Sequence, residues 1–388
     1  MFGVILNQQT WLPLTQGWIH TQAAYLPSHV VPYVVCGETD NLPQFELPRM
    51  HAWSRLSWRE RVRALAGSAG LLGSGFSRRA ALLAQVARRH GAEVVHSHFG
   101  YTGYHAARVV RRLGLRHVVT FYGVDMSALP RQDPRWRARY RVLFERVDQV
   151  LCEGPCMAAG VAALGCPPEK LRVHHLGVRL DDLHFNPRRW RPGEPLRVLI
   201  AASFREKKGI PSALEALARV KDEVSLEITV VGDAGSEAKS KAEKVRILEV
   251  VANCRLAPHV RFVGYQPWRW LMEEAYRNHI FMSPSVTAGD GDTEGGAPVG
   301  LIEMAATGMP VVSSRHADIP EVIEHGVGGW LAGERNIDEL EQCLRRLIDA
   351  PEEWETLVRA ARGRIEREFN AEKQGVALAE IYERVRHV

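Results

Sequence analysis

Short apolar runs rich in valine and isoleucine punctuate the first half of the chain, at Val30–Cys36, Val94–Phe99, His117–Tyr122, Val147–Cys152 and Leu171–Leu176. The opening stretch Met1–Asn7 has the same character and reads as a first core strand. Runs of this length suit strands covered on both faces. Between them lie helix-like stretches, Ser77–His90, Gly103–Leu113 and Arg137–Arg146, so the alternation predicts a parallel sheet sandwiched by helices. The pattern stops at 185–195, FNPRRWRPGEP, where proline and arginine replace apolar periodicity; this stretch is predicted to be an interdomain linker. It resumes with strands at Leu196–Ala202, Leu226–Val231, Val260–Val263, Ile280–Ser283 and Pro310–Ser313. The prediction is therefore α/β, with two Rossmann-like domains in tandem over 1–184 and 196–370. Segments 352–369 and 371–388 are helical in pattern, and the last is expected to cross back onto the first domain. In such sheets ligands bind beyond the carboxyl ends of the strands, and two facing domains would leave a cleft between those ends.

Composition narrows the picture without redirecting it. At 388 residues the chain exceeds what one core usually organises, in keeping with two domains. An apolar fraction of 46% with 24% charged residues excludes disordered and fibrous classes. No repeat of 20 to 50 residues is visible, which disfavours solenoids and propellers. No apolar run approaches the roughly 18 residues of a membrane span. The start lacks a basic leader and a cleavage site, so a cytoplasmic protein is expected. Six scattered cysteines suggest neither a disulfide framework nor a zinc knuckle.

Charge is unevenly spread. Residues 1–185 hold 22 Lys and Arg against 13 Asp and Glu, a net of +9, which leaves −4 of the total +5 for the remainder. A basic first half suits an anionic acceptor or an acidic membrane surface, and equally a solvated arginine-rich face; no nucleic-acid partner is expected. Trp53–Leu65, WSRLSWRERVRAL, interleaves aromatics with Arg55, Arg59, Arg61 and Arg63, which reads either as a peripheral membrane contact or as a cationic surface helix.

The richest segment for chemistry is Ser283–Glu303, SPSVTAGDGDTEGGAPVGLIE, which leaves a strand, crosses a Gly- and Asp-rich loop and enters a helix near Pro298. The helix start at Ala297, Pro298 and Val299, with free N–H groups on its non-proline residues, and the open backbone of Gly295 and Gly296 beside it can surround phosphates or hydroxyls. Glu303, a turn inside, can accept hydrogen bonds from a vicinal diol such as ribose. Ser203–Gly209, SFREKKG, follows the first strand after the linker, where Arg205 and Lys208 can clamp a diphosphate. In the first half His96–Gly100 and Thr120–Asp125 each end a strand. His96 and His98 share a strand face without a third metal ligand at sensible spacing, so a structural or sugar-binding role is expected. Tyr122 and Asp125 either meet sugar hydroxyls or serve the local fold. Asp290-Gly291-Asp292 is expected to form a turn or to recognise sugar, rather than to bind metal.

Together these motifs resemble the retaining glycosyltransferases of family 4, of GT-B architecture, in which two Rossmann-like domains face across a cleft. The resemblance runs through HSHFG (96–100), TFYGVD (120–125), the Lys170–Gly177 strand, EKKG (206–209), VVGD (230–233), FVGY (262–265) and EGGAPVGLIEMAATGMPVV (294–312). It is nearest to the bacterial exopolysaccharide branch that includes colanic-acid and amylovoran transferases. The resemblance implies that Glu294 contacts the donor sugar, Glu303 its ribose and Lys208 its diphosphate. Gly17 and Tyr265 fall at further donor-side positions, and His98, Tyr122 and Asp125 on the acceptor or sugar side. Three departures stand out: eight residues instead of seven separate the two glutamates, Ser203 occupies the position of the family arginine with Arg205 two residues later, and Tyr122 replaces a histidine.

The expectation is transfer of a hexose from a nucleoside-diphosphate sugar, UDP being the expected nucleotide, to a hydroxyl of a glycan, lipid-linked or small glycoside acceptor. Anomeric configuration is retained and neither metal nor other cofactor is needed. The alternatives are a nucleotide-sugar epimerase on the same fold and a non-catalytic nucleotide-sugar-binding protein.

Overall fold

The computed structural model describes residues 1–72 and 77–387. It divides into two units, Met1–Arg179 with Glu368–Val388, and Leu180–Arg367. The first holds seven strands: β1 (Phe2–Trp11), β2 (Val30–Thr39), β3 (Met50–Ala52), β4 (Ala92–His98), β5 (Arg116–Thr120), β6 (Gln149–Cys152) and β7 (Leu171–Val173). The second holds β8 (Leu196–Ala201), β9 (Leu226–Val231), β10 (Val260–Phe262), β11 (Ile280–Ser283), β12 (Val311–Ser314) and β13 (Trp330–Ala332). Both sheets are parallel, in the orders β3-β2-β1-β4-β5-β6-β7 and β10-β9-β8-β11-β12-β13. The two Rossmann-like sheets match the reading of the apolar runs. β3 and β13, three-residue strands on the sheet edges, lie outside the predicted runs.

Strand alternation builds each core. In β1, Val4 and Leu6 point to one face with Val34, Val94 and Val118, covered by Ile19, Leu378, Ile381 and Val385. Ile5 points to the other face with Val35 and Val95, beneath Leu82, Leu83, Val86, Val109 and Val110. The 371–387 helix thus belongs to the first unit. Its Tyr382 is fully buried and its hydroxyl lies 2.7 Å from Nδ1 of His96.

The arginine-rich stretch 185–195 is not a free linker but is built into the second unit. Asn186 N–H donates to Thr307 O (2.9 Å) and Arg188 N–H to Gly308 O (3.0 Å). The buried Arg188 guanidinium donates to the carbonyls of Ala275 (3.2 Å), Asn278 (3.2 Å) and Thr307 (3.1 Å), near the carboxyl ends of two helices. A delocalised cation with five donors suits that carbonyl-rich site, and the dipoles there favour positive charge. Trp190 stacks on Trp354 with ring centroids 6.3 Å apart. Polarity in the sequence concealed this burial.

In each sheet the connections reverse direction beside the first strand, at β1/β4 and β8/β11. These switch points are where open parallel sheets collect ligands, beyond the strand carboxyl ends. No helix among the described residues is long and apolar enough to cross a membrane.

Candidate active site

At the carboxyl end of β8 the chain makes a turn, Glu206–Lys208, closed by Gly209 in the left-handed region (φ 62°). A Cβ on Gly209 would lie 1.9 Å from the carbonyl oxygen of Pro284, just beyond β11, so only glycine lets the two strand ends approach. Each residue of the turn then grips the 286–294 loop. Glu206 accepts from Gly289 N–H (3.0 Å) and pairs with Arg335 (2.7 Å). Lys207 donates to Asp292 (3.2 Å) and to the carbonyl of Thr293 (2.9 Å). Lys208 Nζ lies 2.8 and 2.9 Å from the two carboxylate oxygens of Glu294, and Ser285 Oγ donates to the same group at 3.0 Å.

The Glu294 side chain is only 8% exposed. Burial by itself would raise its carboxyl, but the ammonium groups of Lys208 and Lys207, with hydrogen bonds from Lys208 and Ser285, more than offset this and lower it to about 2. Glu294 is thus an ionised acceptor fixed beside a cation. Its backbone N–H donates to Nε2 of His316 (3.1 Å), whose Nδ1 lies 2.7 Å from Glu334.

After Glu294 the chain passes Gly295 (φ 82°) and Gly296, then Ala297 and Pro298, into the helix Val299–Ala306. Pro298 precedes the first helical residue, so the N–H groups of Val299 and Gly300 have no carbonyl within the helix. Glu303 lies about a turn inside and accepts from Nε1 of Trp268 at 2.9 Å. Asp290-Gly291-Asp292 closes a turn, with Asp292 N–H donating to Asp290 (3.0 Å) and Ala288 N–H to Asp292 O (2.9 Å). No cluster of metal-ligating side chains occurs among the described residues. Lys208, Glu294 and the Gly295–Gly296 backbone therefore form one group. Arg205 does not join the ion pair and lies 3.4 Å from Glu237; Tyr265, beyond β10, is 49% exposed.

In the first unit the strand ends hold an aromatic and imidazole cluster. His98 Nδ1 lies 2.9 Å from the hydroxyl of Tyr122, while its Nε2 is buried without a partner. Burial lowers His98 to about 3, so the ring is neutral. His96 uses both nitrogens, on Tyr382 and on Thr120 Oγ1 (2.7 Å), and its role is structural. Phe99, between His98 and the Gly100–Arg112 helix, holds φ 72°, a strained value for a side-chain-bearing residue next to a candidate site. Gly17 opens the Gly17–Ala24 helix beyond β1.

Asp125 is corrected from sugar contact to structural cap. It is fully buried and accepts from Tyr122 N–H (3.1 Å), Tyr101 N–H (3.4 Å) and the Tyr140 hydroxyl (3.1 Å). Burial raises its carboxyl to about 6 against these donors. The two backbone donors come from the start of the Gly100–Arg112 helix and from its own turn, as a helix-start carboxylate requires, and the Tyr140 hydroxyl comes from the Arg135–Arg146 helix.

Sequence reasoning missed Ser285, His316, Glu334 and Trp268. Ser285 and His316 each lie two residues beyond a strand end, so position alone could have flagged them. Glu334 also lies two residues beyond a strand end, but that strand, β13, falls outside the predicted runs, and Trp268 opens a helix instead of following a strand end.

Comparison with known proteins agrees with this architecture. Residues 185–364 match glycosyl transferases group 1, and residues 18–182 match Glycosyltransferase Family 4. The chain is 35% identical over 308 residues to the amylovoran biosynthesis glycosyltransferase AmsK of Erwinia amylovora, covering 79% of this chain and 73% of that protein. Among solved structures, HepE of Anabaena in complex with UDP superposes with TM-score 0.78 at 15% identity, over 99% of this chain and 100% of the other. Sucrose-phosphate synthase from Thermosynechococcus elongatus superposes with TM-score 0.74 at 16% identity, over 99% of each chain.

Proposed function

The chain belongs to the family 4 glycosyltransferases, and from that premise we propose that it transfers a hexose from a UDP-sugar to a hydroxyl of a glycan, lipid-linked or small glycoside acceptor, with retention of configuration. The observation that carries this reading is the Lys208–Glu294 pair at the β8/β11 switch point, beside a glycine loop and an unsatisfied helix start. Amylovoran biosynthesis in the relative supports an exopolysaccharide acceptor, and the UDP held by HepE supports a uridine nucleotide.

In this mechanism the helix-start N–H groups and Lys208 take up the charge that grows on the diphosphate as the glycosidic bond to phosphate breaks. Glu294 accepts from sugar hydroxyls and Glu303 from the ribose diol. The acceptor hydroxyl attacks from the face the diphosphate leaves, and its proton passes to a phosphate oxygen. In the first unit His98 keeps Nε2 for a sugar or acceptor hydroxyl, with Tyr122 orienting the ring. Arg205 can reinforce Lys208 by exchanging Glu237 for phosphate. Positive charge comes from the chain itself in this scheme, so turnover should persist in excess EDTA.

The Trp58–Leu72 helix exposes Trp58 (69%), Val62 (55%) and Leu65 (43%), spaced along one stripe beside Arg59 and Arg63. An apolar stripe edged by arginines suits an anionic bilayer surface and would bring the protein to lipid-linked acceptors at the cytoplasmic face. Failure to bind anionic vesicles at low salt would remove that element alone.

The test of the main reading is incubation with UDP-hexoses and a panel of glycan acceptors, followed by mass spectrometry. A hexose-extended acceptor and UDP are expected. Interconversion of sugars without acceptor would favour the epimerase, and binding of UDP without any product would favour a non-catalytic role.

A further inference from the structure

The imidazole behind Glu294 has a defined tautomer. A backbone N–H can only donate, so Nε2 of His316 is the acceptor for Glu294, and Nδ1 carries the proton that it donates to Glu334. His316 is 2% exposed and stands two residues beyond β12, whereas Glu334 stands two beyond β13. Glu334 also accepts from the backbone N–H of Thr287 at 2.7 Å. The two side chains therefore hold both ends of the 287–294 loop, Thr287 through the carboxylate and Glu294 through the imidazole. Each is followed by a non-glycine residue in the left-handed region, Ala317 (φ 48°) and Arg335 (φ 59°). Backbone conformations of this kind persist only where surrounding contacts over-determine them.

We propose that His316, oriented by Glu334, is a positioning residue that fixes the Glu294 carboxylate against Lys208 and so sets the sugar end of the donor site. This rests on the reading of Glu294 as the sugar contact. The residue whose carboxylate meets Lys208 and Ser285 has its backbone N–H anchored on His316. Loss of the anchor leaves the diphosphate-binding groups in place and frees the residue that distinguishes a nucleotide-sugar from a bare nucleotide.

The experiment is calorimetric titration of the full-length protein with UDP and with UDP-hexose, and turnover with acceptor, for wild type, His316→Ala, His316→Gln and Glu334→Ala. Expected for His316→Ala is a UDP Kd within twofold of wild type, loss of the added affinity for UDP-hexose, and a kcat at least tenfold lower. His316→Gln should recover to within threefold of wild type, because its amide oxygen can accept from Glu294 N–H while its NH2 donates to Glu334. Glu334→Ala should fall between the two. Thermal melting accompanies each titration, and if His316→Ala is unfolded the glutamine variant decides. The inference is overturned if His316→Ala keeps wild-type discrimination and kcat, or if folded His316→Gln is as impaired as an alanine variant. Wild type that fails to bind UDP-hexose overturns the functional reading itself, a result distinct from either.

Discussion

Replacing Lys208 by alanine removes the cation that faces the buried Glu294 carboxylate at 2.8 Å. That carboxyl is lowered from 4.5 to about 2. That lowering corresponds to about 3 to 4 kcal/mol in favour of the ionised form, and part of it belongs to Lys207 and Ser285. We expect Lys208→Ala to destabilise the second unit by about 2 kcal/mol at pH 7. The sign follows from the depressed value: this stability is present above the unfolded carboxyl pKa and is lost as pH falls from about 4.5 toward 2, so the gap between wild type and variant closes on acidification. For catalysis, loss of a main diphosphate clamp should cost about 3 kcal/mol in the barrier, or roughly 100-fold in turnover. The double variant with Glu294→Gln should be less destabilised than the sum of the single variants, since either change alone breaks the pair. The assay is UDP release from UDP-hexose with acceptor, at a temperature where circular dichroism shows the variant folded. Turnover within threefold of wild type would refute the clamp role.

Gly209→Ala places a Cβ 1.9 Å from the Pro284 carbonyl oxygen at a left-handed φ, and should destabilise by about 2 kcal/mol or more while displacing Lys208; melting and turnover should fall together. Asp125 is raised from 3.8 to about 6, so the folded state holds its proton more tightly than the unfolded one, and the stability contributed by this carboxyl should decline by about 3 kcal/mol as pH rises from 4 through 6, read as the change in the stability difference between wild type and Asp125→Asn. Melting of the two proteins side by side across that range isolates the Asp125 contribution from that of the buried histidines. Tyr382→Phe removes a buried partner of His96 and should lower the stability of the first unit by about 1 to 2 kcal/mol in chemical denaturation.

Much of the sheet architecture was legible because buried parallel strands advertise themselves as continuous apolar runs, and β4, β5, β8, β9 and β11 all coincide with such runs within a few residues. The Ala371–His387 helix was legible from its pattern, although its hydroxyl contact with His96 was not. Polarity misled at 185–195: Arg188 is buried because carbonyls at two helix ends receive it, a tertiary circumstance that no local pattern encodes. Asp125 misled in the same way, since strand-end placement suits a ligand and a helix cap equally well. Lys208 and Glu294 were legible as candidates, but their pairing 86 residues apart depends on Gly209 bringing one strand end onto another. His316 and Glu334 each stand two residues beyond a strand end, but their contacts to the backbone of Glu294 and Thr287 leave no mark in residue spacing.

In the proposed function the second unit holds a nucleotide-sugar through Lys208, Glu294 and Glu303. Calorimetric titration of wild type and Glu303→Ala with UDP and UDP-hexose tests it most directly. Saturable one-site binding of both ligands to wild type is expected, weakened about tenfold or more for both in Glu303→Ala because the ribose contact is common to them. No binding to wild type, or undiminished binding to the variant, would contradict it.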